Sequence, residues 1–267
     1  MFKQHSAPHP VLAALWRVLR CALTPFRPYT YLLHWIDVRT KRQVSSGPFA
    51  GMKYCRDSHC SAYYPKVLGT YEKELSGAIC AIIGGRPPTV IDVGAAEGYY
   101  AVGLALRLRE ANFIAFEAES RARDLLRELC AANGCSGRIG IKNSCDSAAL
   151  LESTAQHQAG AIIMDVEGAE ASILTASVAE KLKNWTLLVE IHELEQPGCG
   201  ELLRRRFAAT HIVDEIQSVE RKVNEFPLTC RPAFRWLMQG QICRSMSEWR
   251  GRQMTWLHIV PRRQFAN

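Results

Sequence analysis

The chain has no apolar run long enough to cross a bilayer. The nearest approach, residues 11–24, is short and is interrupted by Arg17 and Arg20. Its apolar residues recur at helical spacing, so we expect a helix packed on the body of the protein, and weak association with an anionic membrane is the alternative. Because the first residues do not read as a secretory leader, we expect a cytoplasmic protein without a transmembrane segment.

Paired cysteine motifs are also missing, although the chain contains ten cysteines. Cys55, His59 and Cys60 lie close together, but no second pair follows at the spacing of a zinc site. Scattered cysteines favour free thiols in a reducing compartment. We therefore expect neither a disulfide framework nor a metal at these three residues.

Charge is unevenly distributed along a chain whose net charge is +7. Residues 1–73 and 201–267 are rich in lysine and arginine, whereas residues 74–200 are acidic overall. Basic flanks suit an anionic partner such as a phosphorylated sugar, an acidic glycan or nucleic acid, and they equally serve solubility. With 48% hydrophobic residues, the composition is that of an ordinary globular domain with additions.

Strand and helix signals alternate from Pro88 onward, as a mostly parallel sheet with crossover helices requires. We predict a doubly wound, mostly parallel, seven-stranded α/β sheet of the Rossmann-like kind, with an N-terminal helical extension. Residues 1–69 would form the extension or a lid, and residues 70–267 the main domain with an irregular insert at about 218–253. The strands are predicted at Thr89 to Val93, Asn112 to Phe116, Arg138 to Lys142, Ala161 to Asp165, Thr186 to Ile191, His211 to Ile216 and Trp256 to Val260.

A glycine loop follows the first predicted strand and precedes a helix from Tyr99. This arrangement forms the nucleotide-binding corner of an α/β sheet. The spacing is Asp92-x-Gly94-x-x-x-Gly98 and not G-x-G-x-x-G, and Glu97 stands where a pyrophosphate would tolerate no negative charge. Acids at 92 and 97 favour a ligand with a cationic part, which describes S-adenosylmethionine and not NAD.

Two acids beyond the loop complete the predicted cofactor site. Glu117 ends the second strand, where a carboxylate can accept hydrogen bonds from both ribose hydroxyls. Asp146 is a candidate for the adenine end, although capping of the next helix explains it equally well. The predicted cofactor-binding residues are Asp92, Gly94, Ala95, Glu97, Gly98, Tyr99, Glu117 and Asp146.

Four short segments of the central region carry a resemblance to a known family. They are residues 91–100 (IDVGAAEGYY), 115–117 (AFE), 164–170 (MDVEGAE) and 189–192 (VEIH). Together they resemble the motifs of the FkbM-type methyltransferases over roughly residues 70 to 215. The resemblance implies a class I S-adenosylmethionine-dependent fold and O-methylation of sugars or secondary metabolites. One departure is the pair Ala96 and Glu97, where many members have Asn and a small or apolar residue.

Three titratable groups are predicted to meet at the carboxyl edge of the sheet, beside the methyl donor. Asp165 ends one strand, while Glu190 and His192 alternate to the same side of its neighbour. We predict His192 as the general base that takes the acceptor's proton, with Glu190 orienting it. The alternative makes all three ligands of a divalent metal, which is not expected. Glu170 is predicted to be structural, since an acid in the first turn favours the helix dipole.

These observations predict an S-adenosylmethionine-dependent O-methyltransferase acting on a hydroxyl of a small molecule or glycan, and the basic flanks allow an anionic acceptor. An RNA-directed enzyme that uses the basic flanks, and a non-catalytic cofactor-binding module, are the alternatives. Nucleic acid is not expected as the partner, because the Asn/Asp-Pro-Pro-aromatic tetrad of base N-methylation is missing after the fourth strand. The sequence carries no signal for an oligomeric state.

Overall fold

The computed structural model describes residues 28–55 and 62–262. Its strands are β1 (Thr89–Val93), β2 (Asn112–Phe116), β3 (Ile139–Lys142), β4 (Gly160–Met164), β5 (Trp185–Ile191), β6 (His211–Gln217) and β7 (Thr255–Pro261). They form one seven-stranded sheet in the order β3-β2-β1-β4-β5-β7-β6. The first five strands run parallel, and β7 lies antiparallel between β5 and β6. The predicted fold class is confirmed.

The described helices flank this sheet and its carboxyl edge. They are α1 (Pro28–Thr40), α2 (Tyr63–Leu68), α3 (Ser76–Gly85), α4 (Tyr99–Arg107), α5 (Ser120–Ala132), α6 (Ser147–Thr154), α7 (Glu170–Ile173), α8 (Ala176–Lys181), α9 (Cys199–Phe207), α10 (Pro232–Leu237) and α11 (Gln239–Met246). In the parts of the chain that are described, no helix has the length and apolar character needed to traverse a membrane. The amphipathic segment at 11–24 lies outside the described residues, as do His59 and Cys60.

One sequence-based helix, over Thr70 to Ala81, begins later than predicted. Residues Lys73–Leu75 form a 3₁₀ turn and the α-helix starts at Ser76. The cause is Glu72, whose backbone adopts the left-handed conformation with φ of 43°. Its buried carboxylate accepts hydrogen bonds from Tyr100 and Arg250, and these contacts hold the chain out of a helical path.

Two apolar layers cover the two faces of the sheet. Residues of α3, α4 and α5 pack on one face, and residues of α6 to α9 pack on the other. All five residues of β1 and all five of β4 are buried, which explains why these strands read as continuous apolar runs and not as alternating ones. Trp256 is buried in the first layer and Trp185 in the second.

A third apolar cluster joins the N-terminal segment to the insert after β6. Leu32 and Ile36 of α1 pack with Val67 and Leu68 of α2 and with residues of α11. Both segments extend to the carboxyl edge of the sheet. The N-terminal segment leads there to Lys66 and Tyr71, and the insert leads there through the residues after Met246. Segments far apart in sequence therefore wall the same cavity.

The first loop crosses the end of β4 at very short range. Gly94, with φ of 83°, lies so close to β4 that a Cβ added to it would be 1.7 Å from the carbonyl oxygen of Asp165. Gly98 is equally restricted, because an added Cβ would be 2.2 Å from the Leu126 side chain. Only glycine fits both positions, so the Gly94 to Gly98 spacing is a packing requirement as well as a ligand-binding feature.

We expect Gly94→Ala to lower the free energy of unfolding by more than about 1 kcal/mol, since the backbone is left-handed and the new methyl group meets a carbonyl oxygen. Urea unfolding followed by circular dichroism measures the change. Gly84→Ala in α3 is the control, because a Cβ there meets nothing within 4 Å and alanine favours a helix. Equal stability of the two variants would contradict the close approach.

Candidate functional site

A cavity of about 700 Å³ opens at the carboxyl edge of the parallel strands. Gly94, Glu117, Asp165 and His192 line it, and they follow β1, β2, β4 and β5 respectively. Ligands of open α/β sheets bind at this edge, so the position of the cavity agrees with the predicted site. The remaining wall comes from the residues near Lys66 and from the segment around Arg250.

Glu117 is held in place by the backbone at the end of the cavity that Gly94 lines. Its Oε2 accepts a hydrogen bond of 2.8 Å from the N–H of Ala96, and its Oε1 accepts one of 2.8 Å from the N–H of Glu119. A carboxylate fixed by two amides at the end of β2 stands where ribose hydroxyls can donate to its remaining lone pairs. Of the predicted cofactor residues, Gly94 and Glu117 line the cavity.

The acids of the glycine loop were predicted to meet the ligand, but neither Asp92 nor Glu97 lines the cavity. Glu97 is buried and pairs with Lys66 at 2.5 Å, and the Tyr54 hydroxyl donates to the same oxygen. Burial alone would raise the pKa of Glu97, but Lys66 and Tyr54 hold this pKa below its usual value. The expectation that Glu97 meets a cationic ligand is therefore replaced by a structural ion pair beneath the loop.

Asp92 also points inward, from the middle of the sheet. Burial raises its pKa to about 7, and Asp165 and Glu117 add to the effect. Its Oδ2 is buried and finds no hydrogen-bond partner among residues 28–55 and 62–262.

Ala95, Gly98 and Tyr99 shape the loop without lining the cavity. The Tyr99 ring packs edge-on against four other aromatic rings, those of Phe49, Tyr54, Tyr71 and Tyr100.

Asp146 caps α6 and does not line the cavity. Its Oδ1 accepts a hydrogen bond of 2.8 Å from the N–H of Ala149, in the geometry of an N-cap. The neighbouring residues Ser144 and Cys145 line the cavity instead. Of the two explanations for Asp146, the capping role is the one that its contacts support.

His192 forms the opposite end of the cavity, with only 2% of its side chain exposed. Its Nδ1 lies 2.6 Å from Oε1 of Glu170, which is fully buried. Its Nε2 lies 3.3 Å from Oε2 of Glu167 and 3.6 Å from Oδ1 of Asp165. Burial disfavours the imidazolium, but Glu170, Asp165 and Glu167 outweigh it and raise the pKa of His192.

Glu170, and not Glu190, orients His192. The Oε1 of Glu170 also accepts the N–H of Gly168 at 3.1 Å, so the carboxylate is fixed on two sides. Although burial opposes ionisation, the bonds from His192 and the backbone lower the pKa of Glu170. The helix-dipole argument did not predict this contact with His192, because it considers one helix and not what packs against that helix.

Glu190 instead accepts a hydrogen bond of 2.8 Å from Nη1 of Arg250. Burial, and then Asp165 and Glu72, raise the pKa of Glu190 to about 10, with Arg250 opposing them. The structure does bring the three predicted catalytic residues together. Asp165, Glu190 and His192 each present a ligand atom, and these atoms all lie within 4.8 Å of one another.

Arg250 ties the insert to the body of the protein. Besides Glu190, its guanidinium contacts Glu72, Glu248 and the Tyr71 hydroxyl. The buried Arg221 joins Glu74 to Glu248 in the same network. The sequence marked the region 218–253 only as a basic insert, since nothing local to an arginine reveals which carboxylates it will meet.

Comparisons with known proteins find structural similarity only among solved structures. Neither a family model nor a curated protein matches the chain. Among solved structures, a putative O-methyltransferase from Klebsiella pneumoniae is 12% identical, with a TM-score of 0.48 over 92% of this chain and 96% of that one. The O-methyltransferase TomG from Streptomyces achromogenes, in complex with SAM, is 10% identical, with a TM-score of 0.47 over 68% and 77%.

A precorrin-6y C5,15-methyltransferase from Geobacter metallireducens is also similar, at 10% identity and a TM-score of 0.47 over 70% of this chain and 88% of that one. Sequence identities of 10–12% and TM-scores below 0.5 do not establish an activity. The function must therefore be argued from the site itself.

We expect Glu97→Gln to lower the free energy of unfolding by about 3 kcal/mol, because it removes a carboxylate that pairs with the buried Lys66 ammonium. Urea unfolding measures the loss. The double variant Lys66→Met/Glu97→Leu should be closer to the unmodified protein than the single variant, since it removes both charges. A single variant as stable as the unmodified protein would show that the pair is not buried in solution.

Proposed function

We propose that the protein is an S-adenosylmethionine-dependent methyltransferase that acts on a hydroxyl group of a small molecule or glycan. The observation that carries this proposal is a single cavity whose two ends present different functional groups. Glu117 and the Gly94 loop stand at one end, and Nε2 of the buried His192 stands at the other. The first end suits the ribose of a nucleoside cofactor, and the second suits the acceptor hydroxyl.

The charge of the cavity supports a cationic cofactor. Asp165 and Glu167 face it between the two ends, and among the described residues that line it, Lys66, Arg250 and Arg252 are each paired with a carboxylate. A sulfonium and an ammonium are stabilised there, whereas the pyrophosphate of NAD would meet like charges. This argument replaces the one from Asp92 and Glu97, whose carboxylates are turned away.

The acceptor's proton is proposed to leave at the His192 end. Methyl transfer is an in-line displacement, so positioning the acceptor oxygen against the donor methyl group provides much of the acceleration. An imidazole whose Nδ1–H is held by Glu170 presents Nε2 to the cavity as a proton acceptor. Glu170 then has a positioning role, comparable to the carboxylate behind a catalytic histidine.

A neutral polyhydroxyl acceptor fits the cavity better than the anionic one that the basic flanks suggest. Lys66, Arg250 and Arg252 are the cations at the wall, and they are paired with Glu97, Glu190 and Glu195. The same pairing argues against an RNA phosphate track through this cavity. Membership of the FkbM-type family stays a prediction that rests on the four sequence motifs.

Calorimetry should show binding of S-adenosylmethionine and S-adenosylhomocysteine but not of NAD. We expect Glu117→Gln to weaken cofactor binding by about 10- to 100-fold, because it removes a charged acceptor of ribose hydroxyls. Glu128→Gln, on the exposed side of α5, is the control and should bind as the unmodified protein does. Absence of binding by the unmodified protein would refute the proposed cofactor.

Transfer of a radiolabelled methyl group to a panel of sugars and glycans tests the reaction. We expect His192→Ala to lower the turnover number by about 100- to 10,000-fold with little change in cofactor affinity. Glu170→Gln should lower turnover less and leave the Michaelis constant for the acceptor nearly unchanged, as a positioning role requires. Cofactor binding without transfer to any hydroxyl compound would favour the non-catalytic module, and salt-sensitive transfer to RNA would favour the RNA-directed enzyme.

A further inference from the structure

We infer that Asp165, Glu167, Glu190 and His192 form a binding site for one divalent cation at the acceptor end of the cavity. The inference rests on the proposed function and changes one step of it, because Nε2 of His192 becomes a metal ligand when the cation is bound. Four donor groups from the ends of β4 and β5 supply the site.

The donor atoms lie near the separations found around one ion. Two atoms that bind the same divalent cation at about 2.1 Å lie about 3.0 to 3.5 Å apart in octahedral or tetrahedral geometry. The observed separations from Nε2 of His192 are 3.3 Å to Glu167 and 3.6 Å to Asp165. Glu190 also presents an atom within 4.8 Å of those of Asp165 and His192.

The surroundings of His192 are those of a metal-binding histidine. Such a histidine commonly donates its other ring N–H to a carboxylate, which fixes the tautomer and directs the free nitrogen at the metal. Glu170 takes this place at 2.6 Å from Nδ1, and the backbone N–H of Gly168 holds the same carboxylate oxygen. The imidazole is buried, and its Nε2 lies at the cavity wall beside the carboxylates of Asp165 and Glu167.

One oxygen of the cluster is buried without a hydrogen bond. Oδ1 of Asp165 accepts none from the described residues 28–55 and 62–262, although it faces Nε2 of His192. A buried carboxylate oxygen left unsatisfied is costly, and two further carboxylates next to it increase the cost. A bound cation would satisfy this oxygen and would stabilise the ionised form of the neighbouring carboxyl groups.

Arg250 limits the contribution of Glu190 to a single oxygen. Its guanidinium holds Oε1 at 2.8 Å, so Oε2 is the atom available to an ion. Carboxylate oxygens with one imidazole nitrogen suit Mn²⁺ and related divalent cations better than soft metals. Bound there, the cation would lower the pKa of an acceptor hydroxyl, whose proton passes to solvent while its oxygen forms the new bond to the methyl carbon and the carbon–sulfur bond breaks.

Mn²⁺ titration of the full chain, followed by electron paramagnetic resonance and calorimetry, tests the site. We expect one Mn²⁺ per chain. Glu170→Gln should weaken its affinity by about 10- to 100-fold, as loss of a carboxylate behind a ligating histidine does. Asp165→Asn and Glu167→Gln remove ligands and should weaken binding as well. Glu167→Gln is the variant whose folding is least at risk, because 79% of the Glu167 side chain is exposed.

Glu195→Gln is the matched control. The Glu195 side chain lies beside the loop at Gly168, and its carboxylate pairs with Arg252 and forms no ion pair with the four proposed ligands. We expect its Mn²⁺ affinity to stay within about twofold of that of the unmodified protein. No Mn²⁺ binding, or binding that Glu170→Gln, Asp165→Asn and Glu167→Gln all leave unchanged, would overturn the metal site. Calorimetry with S-adenosylmethionine on the same samples separates this result from failure of the proposed function, because cofactor binding without Mn²⁺ binding removes only the metal.

Discussion

The approach of the Gly94 backbone to the carbonyl oxygen of Asp165 is the constraint on which the site depends. The space that a Cβ would fill at Gly94 is taken by that oxygen. The loop after β1 and the turn after β4 are therefore locked together, and Glu117 is joined to the same loop through the N–H of Ala96. One backbone contact thus sets the distance between the Glu117 end of the cavity and the Asp165 end.

Buried charge is used differently on the two sides of this contact. Below the loop, Lys66 of α2 forms a buried ion pair with Glu97, which lies just before α4. At the acceptor end, Asp165, Glu167, Glu190 and His192 meet with Arg250 as the nearby cation. The buried ion pair stabilises the wall of the cavity, whereas a cluster with an unsatisfied carboxylate oxygen can bind a ligand.

The insert and the N-terminal segment matter because they complete this cavity. α1 and α2 pack on α11, and Arg250 then reaches across to Glu72 and Glu190. Neither segment carries a catalytic sequence motif. Their folding nevertheless pairs Lys66, Arg250 and Arg252 with carboxylates and leaves other carboxylates facing the cavity. The basic flanks of the chain therefore do not produce a basic cavity, which is why overall charge was a poor guide to the acceptor.

The sequence by itself determined the sheet, the glycine loop and the positions of Glu117, Asp165 and His192. These follow from local rules, since strand period, glycine spacing and strand ends depend on neighbours in the chain. Only the tertiary structure decided that Glu97 pairs with Lys66, that Glu170 and not Glu190 holds His192, and that Arg250 reaches Glu190. Each of these contacts joins residues 20 to 60 positions apart, and the physical reason is that a side chain's partner is set by packing between elements and not by its own segment.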